Sequence, residues 1–309
     1  MMDRCRFSRL DPTGSQSVYA FEFRDPDGKY VYTLWTARGE IEAKFRSKAG
    51  SLTVFDMYGR EDKRFLTSKF KAKLSEEPSY FWMDGPLVSV EARGNRSYPW
   101  ETYPGLEKRR TLSALRTLDG WRVCTNFWHQ AEKRGWMPAR TGSFSAVNGP
   151  EGVVVSTTRQ VVHHEALDDY GFLRLEKPIP VPESATTLTL DVKGNSTWGK
   201  LRFEVVDAKG RTFLTAPDYY DYSDTVAFNF DGWHTLQFMI RKESPAQCIS
   251  LCGSNMKQWR VQRLPGRPEF EYPIKVTGIG FKFHRRGFDL LNWVRPDSDA
   301  IVIRNLSCY

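Results

Sequence analysis

The chain has 309 residues, 40% of them hydrophobic and 27% charged, with 10 Trp, 13 Tyr and 20 Phe. That is ordinary for a globular protein but rich in the aromatic residues that favour pleated surfaces. The formal net charge of +8 is spread out: residues 1–116 carry 21 Lys and Arg against 16 Asp and Glu, and the remainder 24 against 21. A diffuse excess without the motifs of the common nucleic-acid readers argues against nucleic acid as the partner, and the lack of a run of about 18 apolar residues argues against a membrane-spanning helix.

The first segment, "MMDRCRFSRLDPTG", has no apolar stretch of the kind a signal peptide needs. On this reading the chain is cytoplasmic, exported by another route, or begins elsewhere in nature. From there to residue 86 the dominant period is two. "YVYTLWT", "EIEAKF", "SLTVFDMYG" and "KFKAKL" alternate apolar with polar residues, and Asp25-Pro26-Asp27-Gly28, Arg38-Gly39, Ala49-Gly50 and Tyr58-Gly59 punctuate them. Short strands at this spacing predict a small antiparallel β-sandwich over 1–86. Residues 87–116, with Pro99, Pro104, Gly105 and a short basic run, read as a linker.

From 117 to 309 strands resume: "TLTLDV", "KLRFEVVD", "TVAFNF", "WHTLQFMI", "VTGIGFKF" and "DAIVIRNLS". Their inward positions are Leu188, Leu190 and Val192; Leu201, Phe203 and Val205; Val226, Phe228 and Phe230; Leu236, Phe238 and Ile240. Strands without long helical patterns between them exclude a parallel α/β sheet or a (β/α) barrel. The predicted fold is all-β, with two antiparallel β-sandwich domains, the second a larger jelly roll. Cys5, Cys124, Cys248, Cys252 and Cys308 are few, odd in number and scattered, so free thiols are expected rather than a disulfide framework.

Several patterns carry candidate chemistry. Trp198 sits in the turn "GNSTWG" with Asn195 and Lys200 nearby. It is either a lid on the core or a plate that stacks on a sugar. In "APDYYDYSD", Tyr219, Tyr220 and Tyr222 alternate with Asp218, Asp221 and Asp224. The rings suit sugar contact, and the three carboxylates would suit a structural calcium ion, the one cofactor the sequence suggests. "KFHRRGFDLLNWVRPDSD" offers Arg285 and Arg286, a pair able to clamp a carboxylate or sulfate, with Trp293. Trp233 in "FDGWHTLQF" is expected at the edge of the core. "VVHHEALDDY" holds residue types for acid–base work, but His163 and His164 are adjacent on a strand and point to opposite faces. No catalytic residue is assigned.

Residues 16–83 resemble the small β-sandwich that follows the catalytic barrel in many glycoside hydrolases, through "VYTLWT", "LTVFDMYG" and the closing "LSEEPSYFW", in which Pro78 and Tyr80 are split by Ser79. Residues 117–309 resemble galactose-binding-like jelly rolls, the fold of many carbohydrate-binding modules. The likeness runs through "DGWRV", "TLTLDVKGNSTWGKLRFEVVDAKGRTF", "FNFDGWHTLQFMI" and "IKVTGIGFKF…AIVIRNLS", and the insertion "RKESPAQCISLCGSNMKQWRVQRLPGRPEFEYP" has no place in it. The resemblance implies a non-catalytic region that binds a polysaccharide or oligosaccharide, with an anionic polymer favoured by the charge. It also implies a larger, secreted or periplasmic glycoside hydrolase whose catalytic domain is a partner. Two other readings stay open: a lyase or hydrolase acting on the jelly roll itself, and a purely structural accessory domain.

Overall fold

The structure, a computed structural model, describes residues 2, 4–15, 18–37, 39–65, 67–92, 105–124, 144–157, 168–195, 200–215, 228, 230–241, 259–261, 270–284 and 300–309. It forms two compact units, the first built on Met1–Glu101 and the second on Thr102–Phe228, Trp233–Asp289 and Asp297–Tyr309. Both are antiparallel β, as the alternating pattern predicts, and the only helix among the described residues is the 3-10 turn Leu106–Lys108.

The first unit holds β1 (Arg6–Leu10), β2 (Val18–Arg24), β3 (Tyr30–Thr36), β4 (Ile41–Ser47), β5 (Ser51–Phe55), β6 (Glu61–Phe65), β7 (Lys69–Leu74), β8 (Ser79–Met83) and β9 (Leu87–Glu91). One sheet has the order β1-β2-β3-β8-β5-β6 and the other β7-β4-β9. β4 shows the cause plainly: in "IEAKFRS" every second residue is buried and the others are exposed, so one face seeks the core and the other water. Val18, Ala20, Tyr32, Leu34, Leu52, Phe81 and Met83 of the large sheet pack with Ile41, Ala43, Phe45, Leu74, Leu87 and Val90 of the small one. Glu22 and the Tyr32 hydroxyl are buried together in this unit. The Tyr32 hydroxyl donates to Glu22 Oε2 at 2.9 Å and accepts from the Leu87 N–H at 2.9 Å, and Arg9 and Arg24 neutralise Glu22 from the rim. Burial first, and the neighbouring carboxylates with it, push the Tyr32 hydroxyl far above its ordinary range.

The second unit holds β10 (Arg110–Ser113), β11 (Trp121–Cys124), β12 (Phe144–Asn148), β13 (Val153–Thr157), β14 (Asp168–Pro180), β15 (Thr187–Asn195), β16 (Lys200–Val206), β17 (Thr212–Thr215), β18 (Asp231–Met239), β19 (Trp259–Val261), β20 (Lys275–His284) and β21 (Ile301–Cys308). One sheet runs β12-β13-β21-β15-β18 with β10 also pairing β21; the other runs β11-β14-β20-β16-β17-β19. The inward residues read from the sequence are buried in the described strands: Leu188, Leu190 and Val192 on one sheet, Leu201, Phe203 and Val205 on the other, and Leu236 and Phe238 on β18. The two sheets meet where Phe203 and Phe238 pack edge-to-face with centroids 4.5 Å apart. Gly171 is a glycine because the Phe144 ring lies where its Cβ would be, with ring carbon Cγ 2.0 Å from that point.

Within the stretch 87–116, expected as a linker, β9 belongs to the first unit and buries Leu87 and Val90 in its core, while β10 pairs with β21 of the second. Among the described cysteines Cys5, Cys124 and Cys308 are free thiols. No described helix is long and apolar enough to cross a membrane.

Candidate functional site

Strand alternation that buries one face of β15, β18 and β21 must turn the intervening residues outward. Outward on β18 are Trp233, Thr235 and Gln237, each half-buried between fully buried neighbours. Trp233, expected at the edge of the core, thus stands on the side away from it. Antiparallel register sets Lys193 of β15 opposite Val302 of β21, Asp191 opposite Arg304 and Thr189 opposite Ser307. A shift of register between Thr189 and Asp191 admits an extra residue on β21, Asn305, with φ 52°. Such a bulge re-aims a side chain, and here the Asn305 amide reaches Asp191.

Asp191 is the hub. Its Oδ1 accepts from Arg109 Nη1 at 2.8 Å and from Thr235 Oγ1 at 2.8 Å, and its Oδ2 accepts from Asn305 Nδ2 at 2.7 Å. The carboxylate is largely buried, so these partners replace the water it has lost. On the same register row, the Arg304 guanidinium lies over the Trp233 ring, 3.8 Å from its centroid, a cation–π contact that fixes both groups. Lys193 Nζ pairs with Glu151 Oε2 at 2.5 Å. The Lys193 hydrogen bond holds the Glu151 carboxyl below the usual range, and the Trp233 side chain and the Arg304 charge act in the same direction. Farther along, the Tyr309 hydroxyl donates to Gln237 Oε1 at 2.5 Å. The result is a face that carries one indole together with two guanidinium groups, two carboxylates, an ammonium, two amides and two hydroxyls.

The first unit has a second face of unusual composition. In β2, "VYAFEFR", Val18 and Ala20 point to the core while Tyr19, Phe21 and Phe23 point away. Opposite them Trp35 stacks on Tyr19 at 4.9 Å and 19° and on Phe21 at 5.2 Å and 8°. Phe7 meets Phe23 edge-on at 5.7 Å, and Phe55 meets Trp82 at 5.5 Å and 82°. Trp35, Tyr19 and Phe21 turn their faces to one another, while the other two pairs meet edge to face. A ligand that stacks needs a free ring face, so this ladder offers less to a flat ligand than its aromatic content suggests.

The structure does not describe the side chains of the site residues singled out from the sequence. Trp198, Tyr219, Tyr220, Tyr222, Arg285, Arg286 and Trp293 lie outside the described residues, as do Asp218, Asp221 and Asp224 and the pair His163 and His164. Asn195 is the last residue of β15, and its side chain is likewise outside them. Among the described residues no group of three or more His, Cys, Asp or Glu could hold a metal ion. The inward residues of "TLTLDV" and "WHTLQFMI" define Asp191 and Trp233 as outward, but only the strand order brings them to one face. Turn aromatics drew attention instead.

No model of a known protein family matches the chain, and no curated protein matches it. Solved structures of similar shape include the family 11 carbohydrate-binding module of the cellulosomal cellulase Lic26A-Cel5E of Clostridium thermocellum, at 12% identity over 65% of this chain and 93% of that one, TM-score 0.29. The family 11 module from Clostridium thermocellum in complex with a β-1,3-1,4-mixed-linked tetrasaccharide aligns at 14% identity over 65% and 94%, TM-score 0.28. An allantoicase from Saccharomyces cerevisiae aligns at 9% identity over 94% and 81%, TM-score 0.21. Likenesses this slight carry no argument about what the chain does.

Proposed function

We propose that this protein binds carbohydrate, and that the outward face of β15, β18 and β21 is where it does so. The observation that carries the reading is the indole of Trp233, steadied by Arg304 and ringed by Asp191, Glu151, Asn305, Thr235 and Gln237. A sugar ring presents a weakly apolar C–H face and a rim of hydroxyls that both donate and accept. The indole suits the face. Carboxylates and amide oxygens accept from the rim, while guanidinium, ammonium and amide N–H groups donate to it. The groups already hold one another in place, so little ordering entropy is lost on binding. Thr189, Ser307 and Asp191 of this face are themselves buried, so a sugar meets it at the half-buried Trp233, Arg304 and Lys193, and affinity for a single sugar unit is correspondingly weak.

Service to a polysaccharide-degrading enzyme belongs to the same proposal and is supported by the sequence resemblance of residues 16–83 and 117–309. Trp198, the tyrosines 219, 220 and 222, and Arg285, Arg286 and Trp293 are further contacts on this reading, with Asp218, Asp221 and Asp224 as a structural calcium site.

The test is affinity electrophoresis through gels containing neutral or acidic polysaccharides. At least one neutral polymer retards the protein, and Trp233→Ala and Arg304→Ala each abolish that retardation while the circular dichroism of the fold is kept. Free migration through every gel, or retardation indifferent to both substitutions, would sink the proposal.

A further inference from the structure

The outward face of the small sheet of the first unit, β7-β4-β9, carries charge in a pattern that solubility does not require. Antiparallel register sets Lys44 directly opposite Lys71 and Arg46 directly opposite Lys69. All four are exposed. Directly opposed side chains on neighbouring strands lie about 5 Å apart, and successive outward residues on one strand about 7 Å apart. Two like-charged pairs therefore stand side by side, an arrangement that destabilises a sheet.

The same two strands show the ordinary solution one step along. Glu42 faces Lys73, Lys71 Nζ reaches Glu42 Oε1 at 2.6 Å, and Lys73 pairs with Glu40. The chain thus balances one end of this face and leaves the other cationic. Lys44, Arg46 and Lys69 have no ion-pair partner among the described residues. The cationic end coincides with a groove of about 450 Å³ lined by Lys44, Arg46, Lys69, Lys71, Ser89 and Glu91. Phe45 and Phe70 of the same strands stack on each other at 4.8 Å and 9° on the opposite, core side of the sheet.

We infer that this groove is a binding site for an acidic polysaccharide, one bearing sulfate or carboxylate groups, separate from the neutral-sugar face of the second unit. The planar fork of Arg46 takes an oxyanion through two parallel N–H bonds, and Lys44 and Lys69 supply flexible point charges beside it. The third strand selects among polyanions. Ser89 stands opposite Arg46 and Glu91 opposite Lys44, so a hydroxyl and a carboxylate border the cations. That hydroxyl and carboxylate accept hydrogen bonds from the free hydroxyls of a polysaccharide, which a DNA backbone lacks. Only the choice of a glycan over other polyanions rests on the carbohydrate reading; the anion site itself does not.

The experiment uses the full chain with dextran sulfate, uncharged dextran of the same length, and a DNA duplex, each titrated at low and high salt. Dextran sulfate binds at low salt and is released at high salt, while uncharged dextran does not compete. The double variant Arg46→Ala/Lys69→Ala weakens dextran sulfate binding about tenfold or more. A control that loses two cations elsewhere, Lys29→Ala/Lys63→Ala, changes it little. Because the substitution relieves like-charge opposition, the melting temperature of the double variant does not fall, so lost binding is not lost folding. No binding of dextran sulfate, equal weakening by the control pair, or tighter binding of DNA than of dextran sulfate would each overturn the inference. Trp233→Ala leaves dextran sulfate binding intact, so failure of the neutral-sugar reading and failure of this one are read in separate lanes.

Discussion

Asp207 shows how one carboxylate can make a unit sensitive to acid. It is buried and sits at the head of the turn between β16 and β17. It accepts from the backbone N–H of Lys209 at 3.1 Å, of Arg211 at 2.9 Å and of Glu271 at 3.3 Å, and from Arg211 Nε at 2.8 Å. Desolvation alone would raise its pKa, but the Arg211 side chain and the backbone donors outweigh burial, and the carboxyl is held below its ordinary value. A folded-state pKa below the unfolded one contributes stability above the unfolded value, and that stability is lost as pH falls through the folded one. The denaturation midpoint of the second unit therefore drops as pH passes below about 4, and Asp207→Asn, less stable at neutral pH, drops less steeply. Parallel profiles for the two proteins would place the acid sensitivity elsewhere. Asp191 illustrates what the residue scale hides from a sequence reader. Its partners Arg109 and Asn305 are 82 and 114 residues away, so no local spacing announces the cluster.

At the scale of elements, one device recurs three times. Asp25-Pro26-Asp27-Gly28-Lys29, Asp56-Met57-Tyr58-Gly59-Arg60 and Asp207-Ala208-Lys209-Gly210-Arg211 each join two neighbouring strands. In each, the glycine N–H bonds the aspartate carbonyl, the following basic residue's N–H bonds the aspartate Oδ1, and the aspartate N–H bonds that basic residue's carbonyl. The glycine φ values are 80°, 82° and 72°, the left-handed region that a side chain resists. Gly59→Ala accordingly costs about 1 kcal/mol or somewhat more, read as a lower denaturant midpoint of the first unit, with no change in the second. An unchanged midpoint would mean that this turn does not set the hairpin.

Strand alternation and turn chemistry made the elements themselves legible, because both are written within a few adjacent residues. Strand order is not. β21 lies between β13 and β15, and it is this neighbourhood, invisible in linear spacing, that lines up Arg304, Asp191 and Thr235. Residues 87–116 misled for a related reason: two short strands flank the Pro- and Gly-punctuated segment, and neither β9 nor β10 is long enough to show a clear period. The aromatic face of β2 is hard to read from "VYAFEFR" because the core-facing residues Val18, Ala20 and Glu22 are small or charged while the large rings face away, so polarity does not report which side is buried.

For the whole molecule, the net charge of +8 proves less informative than its placement. A diffuse excess predicts weak attraction to any polyanion, whereas opposed lysines and an arginine over a groove concentrate it at one address. The aromatic ladder has a different bearing at this scale. Tyr19 and Trp35 hold their rings 4.9 Å apart at a 19° tilt, close enough for their ultraviolet transitions to couple as an exciton pair. The native first unit then carries an optical signature of its own, a Tyr–Trp couplet in far-ultraviolet circular dichroism, superimposed on the β-sheet spectrum that both units contribute. Trp35→Phe removes the couplet and leaves the sheet signal; a couplet that survives the substitution arises from another pair. With that signature in hand, the folding of the first unit can be followed without a label while the second is perturbed.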